Sequence, residues 1–276
     1  MKWKSRGKPV AIILTVLLLL FLLFPFFVML STMLKPSREV YTTPPSWLPK
    51  RPQFSNLIRL WSEFDFAIYF KSSLIIALGT MALNTLLTVP AAYAVARLRF
   101  VGRKFILYLF LVIQMFSPVI VVISLFKTMA ALKLLNTYYS LILANSVFTI
   151  AFTVWMMNGY FRSIPVEIEE AALIDGCTRG QTIIRIMIPI AVPGMVTTMI
   201  YSFIAAWNEF LFGLTFMQSQ ARLPLVLALY SFVGRYSTQW ELLSAAAFVA
   251  LIPVLVLFYI IEKRLVAGLA GGAVKA

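Results

Sequence analysis

Residues 162–189 read RSIPVEIEEAALIDGCTRGQTIIRIMIP. The stretch holds four of the chain's ten carboxylates, Glu167, Glu169, Glu170 and Asp175. It lies between two apolar runs, 138–160 and 190–212, each long enough to cross about 30 Å of hydrocarbon as a helix. Its local signals predict two short helices. Ser163 and Pro165 suit the start of the first, and three glutamates favour its positive N-terminal end. Ile168, Ala171, Ala172 and Asp175 follow i, i+3, i+4, i+7 spacing and share a face on which small side chains let another backbone approach. Asp175-Gly176 marks a turn, with Gly176 free to take positive φ. Thr178 then opens a second helix, and Gln181 three residues on completes a capping box. Ile183, Ile184, Met187 and Ile188 give that helix an apolar face, and Pro189 and Pro193 mark the entry to the next long run. On the residues alone the segment is either a pair of interfacial helices joining two spans or a docking element for a cytoplasmic partner.

Outward from this loop the chain is mostly apolar. Of its 276 residues, 61% are hydrophobic and 12% charged, against about 45–50% and 25% in soluble domains. A soluble fold could not bury so much apolar side chain and still cover itself. Six runs read as membrane spans: 10–34, 72–96, 105–126, 138–160, 190–212 and 240–261. The first exceeds the about 7–15 residues of a signal-peptide core and no small-residue cleavage site follows it. It is expected to be retained and bent near Pro25. Pro90 falls near the end of the second span and Pro118 within the third. Residues 223–233 are apolar but too short to cross, and read as a re-entrant or interfacial piece of an outer segment, 213–239.

The charges then set the orientation. Lys2, Lys4, Arg6 and Lys8 crowd the N-terminus; Arg97, Arg99, Arg103 and Lys104 crowd the loop between the second and third spans; Lys263, Arg264 and Lys275 lie in the tail, 262–276. The long loop 35–71 is dilute by comparison, with six basic and three acidic residues. The positive-inside rule places both termini, and with them loop 162–189, in the cytoplasm. The net charge of +14 is therefore mostly a topology signal, and no basic face of the kind nucleic acid requires is evident.

Several chemistries are excluded. With no His and a single Cys, Cys177, the chain has no imidazole base, no His metal site and no intrachain disulfide. It carries no G-x-x-x-x-G-K-[ST] loop for nucleotide phosphates, no G-x-S-x-G and no H-E-x-x-H. No internal repeat supports an inverted-repeat carrier. Charges inside the spans are nearly absent, against a buried proton relay or a voltage-sensing arginine ladder. Energy for transport is expected to come from another chain.

The spacing Glu170-Ala171-Ala172, three residues, Gly176, nine residues, Ile186, one residue, Ile188-Pro189 resembles the EAA motif of ABC importer permeases, E-A-A-x3-G-x9-I-x-L-P, with Ile188 in place of Leu. Ala92-Tyr-Ala-Val-Ala-Arg97-Leu-Arg-Phe100-Val-Gly102-Arg103 is similar to a stretch of the carbohydrate-type permeases. So are Leu134-Leu-Asn136-Thr137-Tyr138 with Leu141-Ile-Leu143, Trp207-Asn208-Glu209-Phe210-Leu211, and the tail Arg264-Leu-Val-Ala-Gly268-Leu-Ala-Gly271-Gly-Ala-Val-Lys275. One departure is Ser72-Ser73-Leu74, where the family usually shows Asn-Ser-Leu. The class resembled most is the maltose/maltodextrin-type permease, as the smaller, six-span partner of its heterodimer.

The resemblance implies an all-α membrane protein: one permease domain over 1–276, six transmembrane helices, the type I ABC importer permease fold and both termini cytoplasmic. It implies a multi-pass subunit of a prokaryotic cytoplasmic (inner) membrane that imports a sugar or oligosaccharide. The expected partners are a second permease subunit, two ATP-binding cassette subunits and an extracytoplasmic solute-binding protein. The chain itself is expected to be no enzyme and to bind no cofactor, ATP and Mg residing on partner subunits. Glu170, Ala171, Ala172, Asp175 and Gly176 would form the ATPase-docking element of the 162–189 coupling loop. The end of the tail, Val266–Ala276, rich in Gly and Ala, would reach between the ATP-binding subunits.

Gln114, Ser117, Asn145, Asn208 and Glu209, with Asn84 and Ser202, are the polar groups from which a sugar pathway could be built beside aromatic faces. The same residue types also bridge helices. Glu209, near the outer end of its span, reads as an anchor or ion-pair partner. In loop 35–71, Pro44, Pro45, Pro49 and Pro52 favour extended chain, and Leu57, Leu60, Trp61 and Phe64 predict a short amphipathic helix after Ser55. That loop is either a binding-protein contact or a belt of interfacial aromatics including Trp47 and Trp61. Alternatives are the same architecture importing glycerol-phosphate, a polyol or another solute, and a stand-alone secondary carrier or channel.

Overall fold

The structure, a computed structural model, describes residues 7–234 and 237–273, with side chains for Pro9, 11–234 and 237–260. Lys2, Lys4, Arg6 and Lys275 of the expected topology code lie outside the described residues, as do the side chains of Lys8, Lys263 and Arg264. Among the described residues the regular structure is helical, and the strand-like pairing is one isolated bridge, Val233 to Thr238. Five stretches of helix are each long and apolar enough to cross a bilayer: Ala11–Met33, Phe66–Arg97, Tyr138–Ser163, Arg179–Trp207 and Trp240–Ile260. They correspond to five of the six expected spans.

The remaining expected run is not one continuous helix. The expected continuous run 105–126 is two helices, α5 (Arg103–Gln114) and α6 (Pro118–Ala131), bent by 101°. A proline ring crowds the residue before it out of the α region. Ser117 is accordingly extended, at φ −69° and ψ 133°, and Pro118 opens the next helix, the position where its missing N–H costs nothing. The pair makes a sixth span if it crosses as one.

Two compact units are distinguished. The first comprises the described residues of Met1–Phe66 with Leu229–Ile252. Its α1 (Gly7–Met33) contains Pro25 and is apolar all round, with Phe21 74% exposed, as a helix solvated by lipid should be. After α1 come α2 (Ser37–Val40) and α3 (Ser55–Glu63). The α1 end is sealed by Asn56, whose Nδ2 donates to the carbonyls of Met33 at 2.7 Å and Lys35 at 2.9 Å, groups that a helix terminus leaves without partners. The helix expected after Ser55 is present. Its Leu60 is fully buried while Trp61 stays half exposed, and Trp47 is exposed as well.

The second unit comprises the described residues of Ala67–Ala228 with Pro253–Ala276. It contains most of α4 (Phe66–Arg97), then α5 and α6, α7 (Tyr138–Ser163), α8 (Val166–Ile174), α9 (Arg179–Thr182), α10 (Ile188–Trp207) and α11 (Leu211–Phe216). Two further helices run across the unit boundaries, α12 (Leu225–Ser231) and α13 (Trp240–Ala273). Among its described residues the 213–239 segment thus holds only short helices, too short to span. The tail expected from residue 262 continues α13 as helix to Ala273.

Two apolar clusters build the second unit. One joins Val89, Ala92, Tyr93 and Ala96 of α4 to Val154, Met157 and Phe161 of α7 and to Met187 and Ala191. The other joins Ile76, Val122, Met129, Leu141 and Ala144 to Phe212 and Phe216. A buried polar seam also binds α4 to its neighbours. Asn84 Nδ2 donates to Ser202 Oγ at 3.0 Å and to Thr149 Oγ1, and Thr88 and Thr153 share a hydrogen bond of 2.8 Å. Such bonds are worth roughly 0.6–2 kcal/mol each between membrane helices.

Candidate functional site

The 162–189 loop folds largely as its signals predict, with two corrections. Ser163 does not start the first helix. It ends α7, where its hydroxyl donates to Tyr160 O at 2.7 Å, and Pro165 alone stands before α8. The second short helix is also not separate. Thr178 and Gln181 form the expected capping box, but α9 runs through a π-turn, Ile183–Met187, into α10. Pro189 has no N–H to give the preceding turn, and a π-turn is a common way for a helix to absorb that loss. Between the helices Gly176 takes φ +86° with no atom within 4 Å of where a Cβ would sit. The demand for glycine there comes from the backbone and not from space.

The expected docking residues divide by side. Glu170, Ala171, Asp175 and Gly176 are exposed, and Ile174 beside them is 86% exposed. Ala172 is 3% exposed and packs inward. Ile184 points outward while Met187 is fully buried, with Ile183 and Ile188 packed against its cluster.

The inward side of α8 carries a group that sequence reasoning passed over. Glu169 Oε2 lies 3.1 Å from Arg97 Nε, an ion pair outside hydrogen-bond geometry. Its Oε1 accepts the Tyr93 hydroxyl, and Arg97 Nη2 donates to Ile164 O at 2.6 Å. An open cleft of about 350 Å³ surrounds these groups, lined also by Arg99, Arg103, Glu170 and Arg179. The available signal is one turn of helix: Tyr93 and Arg97 stand four apart on one helix face, inside the 92–103 stretch.

The polar span residues separate equally clearly. Gln114, Asn145 and Glu209 line one cleft of about 490 Å³ with Phe116, Phe148, Thr149, Tyr201, Phe210 and Phe212. The Phe148 and Phe212 rings stack at 5.6 Å. Ser117 and Asn208 are exposed and lie outside that lining. Asn84 and Ser202 are buried in the seam between helices. Asn145 Nδ2 donates to Leu141 O at 2.8 Å. Glu209 meets backbone: its carboxylate accepts the N–H of Phe212 at 2.6 Å and of Gly213 at 3.0 Å. It thereby satisfies the first donors of α11, and among the described residues no Lys or Arg nitrogen lies within 4 Å of it.

Comparison with known proteins fits this arrangement. The family described as "binding-protein-dependent transport system inner membrane component" matches residues 85–271. The chain is 36% identical over 269 residues to the sulfoquinovosyl glycerol transport system permease protein SmoH of Agrobacterium fabrum, covering 98% of this chain and 94% of the relative. It is 35% identical to the trehalose transport system permease protein SugB of Mycobacterium tuberculosis, covering 92% of each. A chain of the crystal structure of a bacterial ABC transporter involved in the import of the acidic polysaccharide alginate superposes with a TM-score of 0.80 over 95% of this chain and 99% of that one, at 22% identity. The matched residues take in the cleft and all of loop 162–189, and the chain belongs to the binding-protein-dependent transport system inner membrane components, the permeases of ABC importers.

Proposed function

We propose that this chain is a transmembrane permease subunit of an ATP-driven importer that moves a sugar or oligosaccharide into the cytoplasm. The observation that carries the reading is the geometry of α8. Glu170, at the edge of the Arg97 cleft, Ala171 and Asp175 are exposed on a helix whose inward side is fixed by Glu169 and Ala172. An acidic helix start offers charge to a basic groove, and alanine permits close approach. Docking of an ATP-binding subunit at Glu170, Ala171, Asp175 and Gly176, with Ala172 packing beneath, supplies the energy that the chain's own residues do not. ATP and Mg then belong to two such subunits, and this chain binds no cofactor.

The cleft of Gln114, Asn145 and Glu209 is this chain's share of the pathway, its amide groups set among aromatic faces as sugar recognition requires. Ser117 and Asn208 flank it. A second permease completes the path, and an extracytoplasmic solute-binding protein meets loop 35–71. Both termini face the cytoplasm of a prokaryotic cell whose inner membrane holds the complex. The sugar-named relatives support the substrate class.

The test is affinity purification of the tagged chain from native membranes in mild detergent, with ligand identification on any co-purified binding protein. Two ATP-binding subunits, a second permease and a carbohydrate ligand are expected. Uptake by the chain alone in vesicles without ATP would overturn the reading. Within the assembled complex, Glu170→Lys and Gly176→Val should each leave the chain in the membrane while ATP hydrolysis no longer drives uptake; normal uptake by both would remove the docking site.

A further inference from the structure

We infer that Tyr93, Arg97 and Glu169 form a latch that fastens the coupling helix α8 to the end of α4, so that ATP-driven movement of α8 is delivered to the transmembrane helices through these three side chains. The inference rests on the docking role proposed for α8. Its observation is the convergence of both Glu169 carboxylate oxygens on one helix end. Tyr93 donates to Oε1, while Arg97, four residues later on the same face of α4, holds Oε2 at 3.1 Å. Arg97 also donates through Nη2 to Ile164 O at 2.6 Å, gripping the chain just before α8 begins. One guanidinium thus ties down both the entry to α8 and its first turn.

Two physical arguments separate this triad from an ordinary surface contact. The first is burial. The side chains of Arg97 and Glu169 are 9% and 14% exposed, against 39% and 50% for Arg59 and Glu63, the other ion pair among the described residues. Solvent screening leaves the latter pair worth little, whereas removing one member of a largely buried pair strands the other. The second is length. A helix of nine residues does not hold itself together in isolation, so a force applied to the exposed side of α8 reaches the rest of the protein through its chain connections and through what anchors its other side. Tyr93 is itself seated, 4% exposed and edge-on to Phe161 at 5.7 Å. From there α4 is bound to α7 and α10 by Asn84 with Thr149 and Ser202 and by Thr88 with Thr153. Those two helices carry Asn145, Thr149 and Tyr201 of the cleft. Tyr93, Arg97 and Glu169 are accordingly positioning residues that touch no substrate.

The test uses the complete transporter, reconstituted in proteoliposomes with its binding protein, and reads sugar taken up per ATP hydrolysed. Tyr93→Phe keeps the ring against Phe161 and removes only the hydroxyl. Glu169→Gln keeps an acceptor and removes the charge. Both variants should retain the ATP-binding subunits at the wild-type ratio while uptake per ATP falls, by about fivefold or more for Glu169→Gln. The exchange Arg97→Glu with Glu169→Arg should recover part of what either reversal alone loses. Unchanged uptake per ATP in both Tyr93→Phe and Glu169→Gln would overturn the latch. So would a loss that merely tracks dissociation of the ATP-binding subunits, since that places the residues in docking. A wild-type complex lacking those subunits would instead overturn the reading on which the latch rests.

Discussion

At the scale of single residues, two glycines show different uses of a missing side chain. Gly176 is needed for its φ of +86°, and nothing lies near its Cβ direction; an L residue there meets a backbone cost of roughly 1–2 kcal/mol. Gly194 has ordinary helical backbone, but a Cβ would come within 2.6 Å of the Tyr160 ring. That contact sets how closely α10 approaches α7, since Tyr160 Cγ, near the root of its side chain, has little freedom to move away. Gly194→Ala is expected to destabilise the detergent-solubilised protein by about 1–3 kcal/mol, seen as a lower thermal midpoint, with part of the loss recovered by adding Tyr160→Ala. An unchanged midpoint would mean that the two helices can separate freely. Only Gly176 was legible as a required glycine, because a turn signal is local whereas the neighbour of Gly194 lies on another helix.

At the scale of elements, loop 35–71 shows how an irregular segment is made definite. Glu39 sits at its centre. Its Oε1 accepts the Lys50 N–H and the Ser46 hydroxyl, both at 2.9 Å. The Lys50 N–H lowers the carboxyl pKa most; burial opposes this, and the Ser46 hydroxyl and the charges of Lys35 and Lys50 add to the lowering. A carboxylate with a lowered folded pKa stabilises above its unfolded value, about 4.3 for glutamate. The contribution disappears as pH falls through the folded value. Hydrogen exchange at the Lys50 amide, normalised to its intrinsic rate, should therefore lose protection as pH falls from 6 towards 3, and Glu39→Gln should be weakly protected throughout. Equal pH response in both proteins would refute the assignment. The loop's prolines announced an extended path, but the cluster around Glu39 joins residues up to eleven apart and carries no periodic signal. The capping box of Thr178 and Gln181 was legible for the opposite reason: its partners are three residues apart.

At the scale of the whole molecule, the bent pair α5 and α6 decides the topology. Five stretches are long and apolar enough to cross by themselves, and the pair adds a sixth crossing only if it traverses as one. Six crossings put both termini on the same side; five put them on opposite sides. Reporter fusions active only in the cytoplasm, placed in turn at the N-terminus and the C-terminus, should both be active. Activity at one end alone would mean that the pair enters and leaves on the same side. No residue of α5 is buried, and its apolar surface suits either path through lipid.

The sequence by itself determined a membrane-embedded helical permease: a run of twenty or so apolar residues has one stable solution in hydrocarbon, and the Glu170 to Pro189 spacing resembles a local pattern of the family to which the chain belongs. It also determined the turn at Gly176 and the cap at Thr178, whose causes lie within a few residues. The tertiary structure alone decided that Asn84 and Ser202 join helices while Gln114, Asn145 and Glu209 share a cleft. The sequence shows that such groups are polar, but their partners are set by helices that meet only after folding. It alone decided that, of Glu167, Glu169 and Glu170, it is Glu169 that reaches Arg97 and Tyr93. On a short helix with 3.6 residues per turn, which acid turns toward the protein is fixed by the angle at which the helix is held, and that angle is a property of the packed molecule.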